Sequence, residues 1–484
     1  MSLQAAFRSS QSALAANAFQ TATLSRNVSG AGSLGYVRKI ALVETSVTGT
    51  ASATRVARAT DLALQNAVLT ASATAQGDEA VSKALESLQT IFGDPADGAS
   101  PSARISNLKA ALLQAASAPQ DAAGLASAVS AAQSLATTLN DASDTVQQAR
   151  LQADRDMAAS VSTINSLLAS FGQTNAAIVA GQAAGQDVTD ALDRRDALLD
   201  DLAKQVSIST IQDSNGGMSI YTDSGVALFQ GAARTVSMAS TQTYTAGANG
   251  QAVYIDGVAV TGPAAAMPLK AGVLAGLSTF RDTIATGLQS QLDEIATGLV
   301  SAFVQTPAAG SSLEARTGLF AWSGSPATPA HGVAGIAAAI HVDPSVIDDP
   351  SPLRDGGIGN DPAYVSNPNG SFNYSSRLYA LADALGASQS FQAAGLPSRL
   401  SVVDLASQSE AWFERARQEA ADQATNSNAS LVQATAALSN ATGVNIDDQM
   451  SQMLDLENSY QASAKMLATI DSMYAALFSA LQPS

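Results

Sequence analysis

From residue 446 to residue 477 the side chains Ile446, Met450, Met453, Leu456, Tyr460, Ala464, Leu467, Ile470, Tyr474 and Leu477 follow one another by threes and fours. That is the spacing of one face of a helix. Asp447, Asp448, Gln449, Ser451, Gln452, Asn458, Ser459, Gln461 and Lys465 fall mostly off the face, and no proline interrupts the run before Pro483. At roughly 1.5 Å per residue the predicted helix is on the order of 50 Å long. Gly443 breaks the chain before it, Asn445 is placed to cap it, and Asp447 and Asp448 suit the positive end of its dipole. A thinner stripe opens the chain between Ser2 and Val28, where Leu3, Phe7, Leu14, Leu24 and Val28 are filled out by alanine and interrupted by Ser10, Asn17 and Thr21. A stripe this weak orders only against a partner. Adhesive helical faces at both ends point to assembly, and the same pattern also suits two ordinary core helices of one domain.

Between these ends the pattern changes three times. Tyr36, Val37, Ile40 and Val43 form a β-leaning run that turns helical near Asp61. From there to about Lys204 the chain is rich in Ala, Leu, Gln and Ser, broken at Gly93–Pro101 and around Ala118, Pro119 and Gly124. Several helices packed side by side are expected, since alanine-rich faces allow close approach. At Val206 the spacing becomes that of strands, carried by Ile208, Ile211, Ile220, Val226, Leu228, Val236, Val253, Ile255, Val258 and Val260. Asn215-Gly216-Gly217, Asp223–Gly225 and Asp256-Gly257 supply hairpin turns. Helical spacing resumes at Pro268 with Leu274, Leu277, Ile284, Leu288, Leu292, Ile295 and Leu299. Residues 306–374 are rich in Gly, Pro, Asp and Asn, which implies loops around short elements such as Gly335–Ile340. Helix returns by Leu378, and a long polar-faced helix from Leu400 to Leu438 leads into the terminal one.

The expected fold is mainly α with an inserted β domain, an elongated multi-domain α+β chain whose terminal helices pair as a coiled-coil-like stem. The stem comprises 1–36 with 443–484, and a long helical bundle comprises 37–205 with 268–305 and 375–442. The β domain is 206–267, and 306–374 is an irregular outward segment.

The 484 residues include 46% hydrophobic side chains, enough for real cores. A net charge of −17 disfavours nucleic acid or an anionic membrane as a partner. Residues 1–60 reverse the sign: Arg8, Arg26, Arg38, Lys39, Arg55 and Arg58 face only Glu44. No aromatic residues interleave with them, so a solvated or subunit-facing surface is expected. The absence of Cys excludes disulfides, thiolate metal sites and a cysteine nucleophile. No membrane insertion is expected, and the N-terminus lacks the pattern of a cleaved secretory signal.

Candidate chemistry is sparse. Gly30-Ala31-Gly32-Ser33-Leu34-Gly35 matches a dinucleotide loop in letters. Such a loop must follow a strand and open a helix, whereas here a helix precedes and an extended run follows, so it reads as a flexible joint. Ser106-Asn107-Leu108-Lys109 spells an acyl-transfer motif without the partner motifs. Asp343, Asp348, Asp349, Asp355 and Asp361 offer oxygen ligands without calcium-loop spacing and read as turn residues. His331 and His341 stand ten apart and read as loop or surface histidines. No catalytic residue, cofactor or metal site is expected.

Ser25-x-Asn27-Val28 followed by Gly35-Tyr36-Val37-Arg38-Lys39 resembles the N-terminal signature of the flagellar rod, hook and hook-associated proteins, S-x-N-I-A-N-x-N-T-P-G-Y. Ser29 and Gly30 stand where that family has Ala-Asn, Gly32 replaces the next Asn, and Leu34 replaces Pro. Gly443-Val444-Asn445-Ile446-Asp447-Asp448-Gln449 and Tyr460-Gln461-Ala462-Ser463-Ala464 resemble the matching end signature. Asp190–Leu202 and Gly272–Leu277 with Phe280-Arg281-Asp282 are similar to internal segments of the hook-associated members at the hook-filament junction. The resemblance implies a structural, non-enzymatic subunit, exported through the flagellar channel without cleavage and located extracellularly at the distal end of the hook. The implied partners are the hook protein, a second junction protein (hook-associated protein 3), further copies of itself and an export chaperone. The expected assembly interface is Leu3, Phe7, Leu14, Leu24, Asn27, Val28, Gly35, Tyr36, Ile446, Met450, Met453, Leu456, Tyr460, Leu467, Ile470, Tyr474 and Leu477. Another secreted flagellar axial protein or an adhesin-like structural protein is the alternative, followed by a cell-wall hydrolase on a flagellar scaffold.

Overall fold

The computed structural model describes residues 3–33, 35–46, 50–89, 98–307 and 311–481. Ser2, Leu34, Pro483 and residues 93–97 of the expected break lie outside them. The chain is mainly helical with small antiparallel sheets, and it divides into two compact units built from interleaved segments.

Unit 1 takes residues 1–75, 162–236 and 426–484. Helix α1 (Leu3–Gly30) is followed by the hairpin β1 (Lys39–Thr45) and β2 (Ala51–Arg58), whose register runs from Lys39↔Arg58 to Thr45↔Ala51 with a bulge at Leu42/Val43. The carboxylate of Asp61 then accepts from the amides of Ala63 and Leu64 and starts α2 (Leu62–Glu86). In unit 2, Pro101 at the first helical position and the Ser100 hydroxyl, accepting from Ala103 N, start α3 (Pro101–Ser117). Ala118–Asp121 forms the turn into α4 (Ala122–Ala183), 62 residues long, which enters unit 1 at residue 162, and α5 (Thr189–Gln205) follows in unit 1.

The first β sheet belongs to unit 1, in the order β3 (Ile208–Gln212), β4 (Met218–Thr222), β5 (Ala227–Gln230) and β6 (Ala232–Ala233). The Asn215-Gly216-Gly217 turn joins β3 to β4, closed by Asp213 N donating to Gly217 O at 2.8 Å. Ile208, Ile220, Leu228 and Phe229 of this sheet are buried, as are Phe171, Ile178, Leu199 and Leu202 of the same unit. The rings of Phe171 and Phe229 meet edge-on at 5.0 Å, a favourable arrangement of their quadrupoles.

Unit 2 takes residues 76–161 and 237–425. A second small sheet pairs β7 (Val236–Met238), β8 (Val253–Ile255) and β9 (Val258–Ala259), the last two joined at Asp256-Gly257. Helix α6 (Val273–Thr279) passes through one π-type turn, Phe280–Ile284, into α7 (Ala285–Ala302). Gly276 is needed here, because a Cβ on it would lie 2.2 Å from the carbonyl oxygen of Gly77. Leu288, Leu292, Ile295, Leu299 and Phe303 are fully buried in this unit, together with Ile105, Leu108, Leu112, Leu135 and Phe413. Short helices at Ile336–Ala339, Pro344–Asp348 and Ser351–Asp355 occupy the loop-rich stretch, and α8 (Ser376–Ala384) packs on α3. Helix α9 (Val402–Thr442) leads to α10 (Ile446–Leu481), which belongs to unit 1 and is capped by Asn445, whose Oδ1 accepts from Asp447 N at 3.0 Å.

Candidate assembly surface

Helix α1 ends against a joint organised by one side chain. Asn27 is fully buried; its Nδ2 donates to Lys39 O at 2.8 Å and to Gln449 Oε1 at 2.7 Å. Its Oδ1 accepts from Lys39 N at 2.8 Å and from the Tyr36 hydroxyl at 3.1 Å. All four hydrogen bonds available to the amide are made. To Lys39 the Asn27 side chain offers what a second neighbouring strand would offer, so both backbone groups of Lys39 are satisfied although β2 is the strand paired with β1. Tyr36 lies over Gly30, where a Cβ would come within 2.4 Å of its ring. Arg38 N donates to Thr442 O at 2.8 Å, which ties the same joint to the end of α9. The Gly30–Gly35 segment is thus anchored on both sides, and only Gly35, at φ 76°, takes a left-handed conformation among its described residues.

The basic excess of residues 1–60 finds partners within the unit. Arg26 pairs with Asp187, Lys39 with Asp190 and Asp193, and Arg58 with Asp193 and Asp196. Arg26 stays more than half exposed, as a solvated cation would, whereas Lys39 and Arg58 are internal and depart from the expected solvated or subunit-facing placement. Charges on successive turns of α5 face the hairpin because Asp190, Asp193 and Asp196 recur every three residues. Lys39 and Arg58 are almost wholly buried in their side chains, at 2% and 6% exposure. Burial opposes the Lys39 charge, but the hydrogen bond to Asp190 and the nearby Tyr36 and Asp193 outweigh it and raise its pKa. Burial likewise raises the Asp193 carboxyl against the pull of Arg58 and Lys39. Arg58 Nε and Asp193 Oδ1 sit 2.7 Å apart as charges without the alignment of a hydrogen bond.

Helices α1 and α10 run antiparallel, as three contacts along their length show. Phe7 meets Tyr474 edge-on at 6.4 Å, Asn17 Nδ2 donates to Ser459 Oγ at 3.0 Å, and Asn27 reaches Gln449. Of the expected interface residues, Leu24, Asn27 and Ile470 are buried, while Leu3, Phe7, Leu14, Val28, Tyr36, Met453, Leu456, Leu467 and Tyr474 are half-buried. Gly35, Ile446, Met450, Tyr460 and Leu477 are exposed. The expected single seam is thus divided, for a geometrical reason. A straight α-helix drifts ~20° per heptad against a 3.5-residue repeat, so over this length the stripe wanders by roughly a quarter turn. Ile446, Met450 and Leu454 form one uncovered apolar row near the start of α10, and Met466, Met473 and Leu477 form another near its end. Phe478 is 65% exposed and stacks on Tyr474.

Sequence reasoning missed the polar side of this interface. Ser10, Asn17, Gln449 and Ser463 are buried, although Ser10 and Asn17 read as interruptions and Gln449 as off the stripe. A groove of about 410 Å³ opens beside the joint, lined by Gln20, Leu24, Arg38, Ile40, Gln452 and Leu456 among others.

Four of the five loop aspartates and His331 have partners within the fold. Asp343, Asp349 and Asp361 accept from amides two residues ahead, and Asp355 holds Arg354 and Asn367. His331 Nδ1 lies 2.8 Å from Glu294 Oε2 and its ring packs edge-on against Phe391. Among the described residues there is no cluster of metal-ligating side chains and no helix long and apolar enough to cross a membrane.

Residues 85–320 match the family model described as the flagellar hook-associated protein FlgK helical domain. Residues 434–480, which include nearly all of α10, match the flagellar basal body rod FlgEFG protein C-terminal model. The chain belongs to the flagellar rod, hook and hook-associated axial family. A search of curated protein sequences found no match. Among solved structures, the flagellar hook junction protein FlgK from Burkholderia pseudomallei is similar at 22% identity and a TM-score of 0.43. That likeness covers 53% of this chain and 47% of the other, so the chain spans about half the length of the solved relative. Among the described residues of unit 1, most of the exposed large apolar side chains lie on α10.

Proposed function

We propose that this protein is a structural subunit of the junction between flagellar hook and filament, secreted without cleavage and added at the distal end of the hook. The observation that carries the reading is α10, a 36-residue helix of the rod-type C-terminal match whose apolar rows are covered by α1 on one side alone. Heterologous contacts that do not close on themselves suit a helical lattice, and uncovered rows on both flanks of one helix supply such contacts. The hook protein below, a second junction protein above and neighbouring copies alongside are the partners, and in the cytoplasm an export chaperone covers residues 446–481. Of the named interface residues, the exposed Ile446, Met450, Tyr460 and Leu477 form the lattice contact, the buried and half-buried ones such as Leu24, Phe7, Ile470 and Tyr474 hold α1 on α10, and Asn27, Tyr36 and Gly35 hold the joint. The role is structural, with no catalytic step.

The test is electron microscopy of purified filament-free hooks mixed with the full-length protein, beside a variant lacking residues 446–484. A short added zone at one hook end, absent with the truncated chain, is the expected result. Free growth into long filaments would instead favour a flagellin-like or adhesin-like protein. Co-purification of the truncated chain with the chaperone would contradict the chaperone assignment.

A further inference from the structure

Three Asn-Gly pairs occur in the chain, at Asn215, Asn249 and Asn369. Glycine offers the least steric shielding to its own nitrogen, so each pair is chemically prone to succinimide formation. The fold treats the three differently. Gly216 N donates to Asp213 O at 3.1 Å, and the Asn215 Oδ1 is occupied by Gly217 N at 3.0 Å. Gly370 N donates to Asn367 O at 3.1 Å. Among the described residues Gly250 N has no acceptor and the exposed Asn249 side chain has no hydrogen bond. An amide held in a hydrogen bond must break it before its nitrogen can attack, which slows the first two sites.

We infer that Asn249 is a site of spontaneous deamidation and backbone isomerisation in the native protein. The Gly250 nitrogen attacks Cγ of Asn249, forming a C–N bond as the Cγ–Nδ2 bond breaks. The nitrogen's proton leaves with the departing ammonia. Water then opens the five-membered imide at either carbonyl, giving aspartate or isoaspartate, and no oxidant or other reactant is required.

The surroundings give this step a structural consequence. Arg150 holds the segment before Asn249 through Ala248 O at 2.6 Å, and Arg281 holds the segment after it through Gln251 O at 2.8 Å. Both guanidinium groups are fully buried, and Arg281 is paired with the buried Asp154 at 2.6 Å. Gly250 is packed so closely on Arg281 that a Cβ would lie 2.3 Å from its Nε. An isoaspartyl linkage adds one backbone atom between two clamped carbonyls, so one clamp must loosen. The modification therefore weakens unit 2 as the protein ages.

The experiment incubates the full-length protein in mildly alkaline buffer, native and in denaturant, and follows the three peptides by mass spectrometry with isoaspartate detection. In the native sample Asn249 converts several-fold faster than Asn215 and Asn369, and in denaturant the three rates converge. The aged native protein shows a lowered thermal transition, whereas Asn249→Gln, which loses no hydrogen bond, keeps its transition on ageing. Conversion at Asn215 or Asn369 as fast as at Asn249 in the native protein would overturn the assignment. An ageing loss of stability that persists in Asn249→Gln would overturn the claimed consequence.

Discussion

The centre of unit 2 and the α1/α10 pair of unit 1 are both helix packings, but they are built on opposite terms. Around α7, Leu288, Leu292, Ile295 and Leu299 are each wholly removed from solvent, and even Gln289, Gln291, Asp293 and Glu294 between them are buried with partners. Along α10, Ile470 alone among the large apolar side chains is buried, and the residues most completely covered beside it are Gln449 and Ser463. Buried area sets the strength of helix packing, whereas paired amides and hydroxyls set its register. The first packing is complete in one chain. The second is registered by Asn17 and Asn27 but left apolar on both flanks, as a surface that awaits neighbours would be.

Truncating the two packings should separate them most sharply. Leu292→Ala removes a wholly buried side chain and is expected to cost about 3–5 kcal/mol of unit 2 stability, read in chemical denaturation. Leu467→Ala, at a half-buried position, should cost about 1 kcal/mol or less in the free subunit. Leu467→Asp, by contrast, should abolish addition to hooks while leaving the thermal transition of unit 2 intact. Normal addition by that variant would sink the proposed part of the α1/α10 pair in assembly.

The joint should be the most sensitive polar position. Asn27→Ala leaves Lys39 N–H, Lys39 C=O and the Gln449 amide without partners, and about 2–3 kcal/mol of local stability should be lost. Faster hydrogen exchange across residues 24–45 with unchanged exchange in α7 is the expected signature. A variant as protected as the parent would show that the joint is held by something else.

Charge gives a smaller and pH-dependent contrast. Burial, with Asp196 nearby, pushes the Asp200 carboxyl up to about 6 from its usual 3.8, Lys204 opposing. A raised carboxyl pKa means the folded state disfavours the charge. Its cost is absent below about pH 4, grows as pH rises toward 6 and is constant above. Asp200→Asn should therefore stabilise unit 1 by about 1–2 kcal/mol at neutral pH, after allowance for solvent screening, with the gain vanishing near pH 4. Equal gains at both pH values would remove burial of the charge as the cause.

The least perturbing test lies on the uncovered rows. Met466→Ser and Met473→Ser, each more than half exposed, should change free-subunit stability by no more than about 0.5 kcal/mol while slowing addition to hooks.

The elements were legible in the sequence where a local signal decided them. The spacing from Ile446 onward gives α10, the cap at Asn445 marks its start, and Asn215-Gly216-Gly217 and Asp256-Gly257 sit at hairpin turns. Helical spacing read from Pro268 begins at Val273 instead, because Leu269 N first donates to Val260 O and Gly272 turns with φ 95°. What was not legible depends on pairs distant in sequence. Nothing near Lys39 or Arg58 announces Asp190, Asp193 and Asp196, although a run of aspartates at three-residue spacing opposite a basic N-terminus was a usable signal. Periodicity counts apolar positions and gives no weight to Gln449 and Asn17, whose amides do the registering here. The motif position Asn27 was visible by resemblance, but its four hydrogen bonds required the fold.

Amide hydrogen exchange on the protein free in solution and after addition to purified hooks tests the central claim most directly. The account predicts that α7 is strongly protected in both states, while residues 446–481 exchange fast in the free subunit and become protected on the hook. Equal protection of residues 446–481 in the two states would mean that α10 is already complete within one chain, and would contradict the assembly role proposed for it.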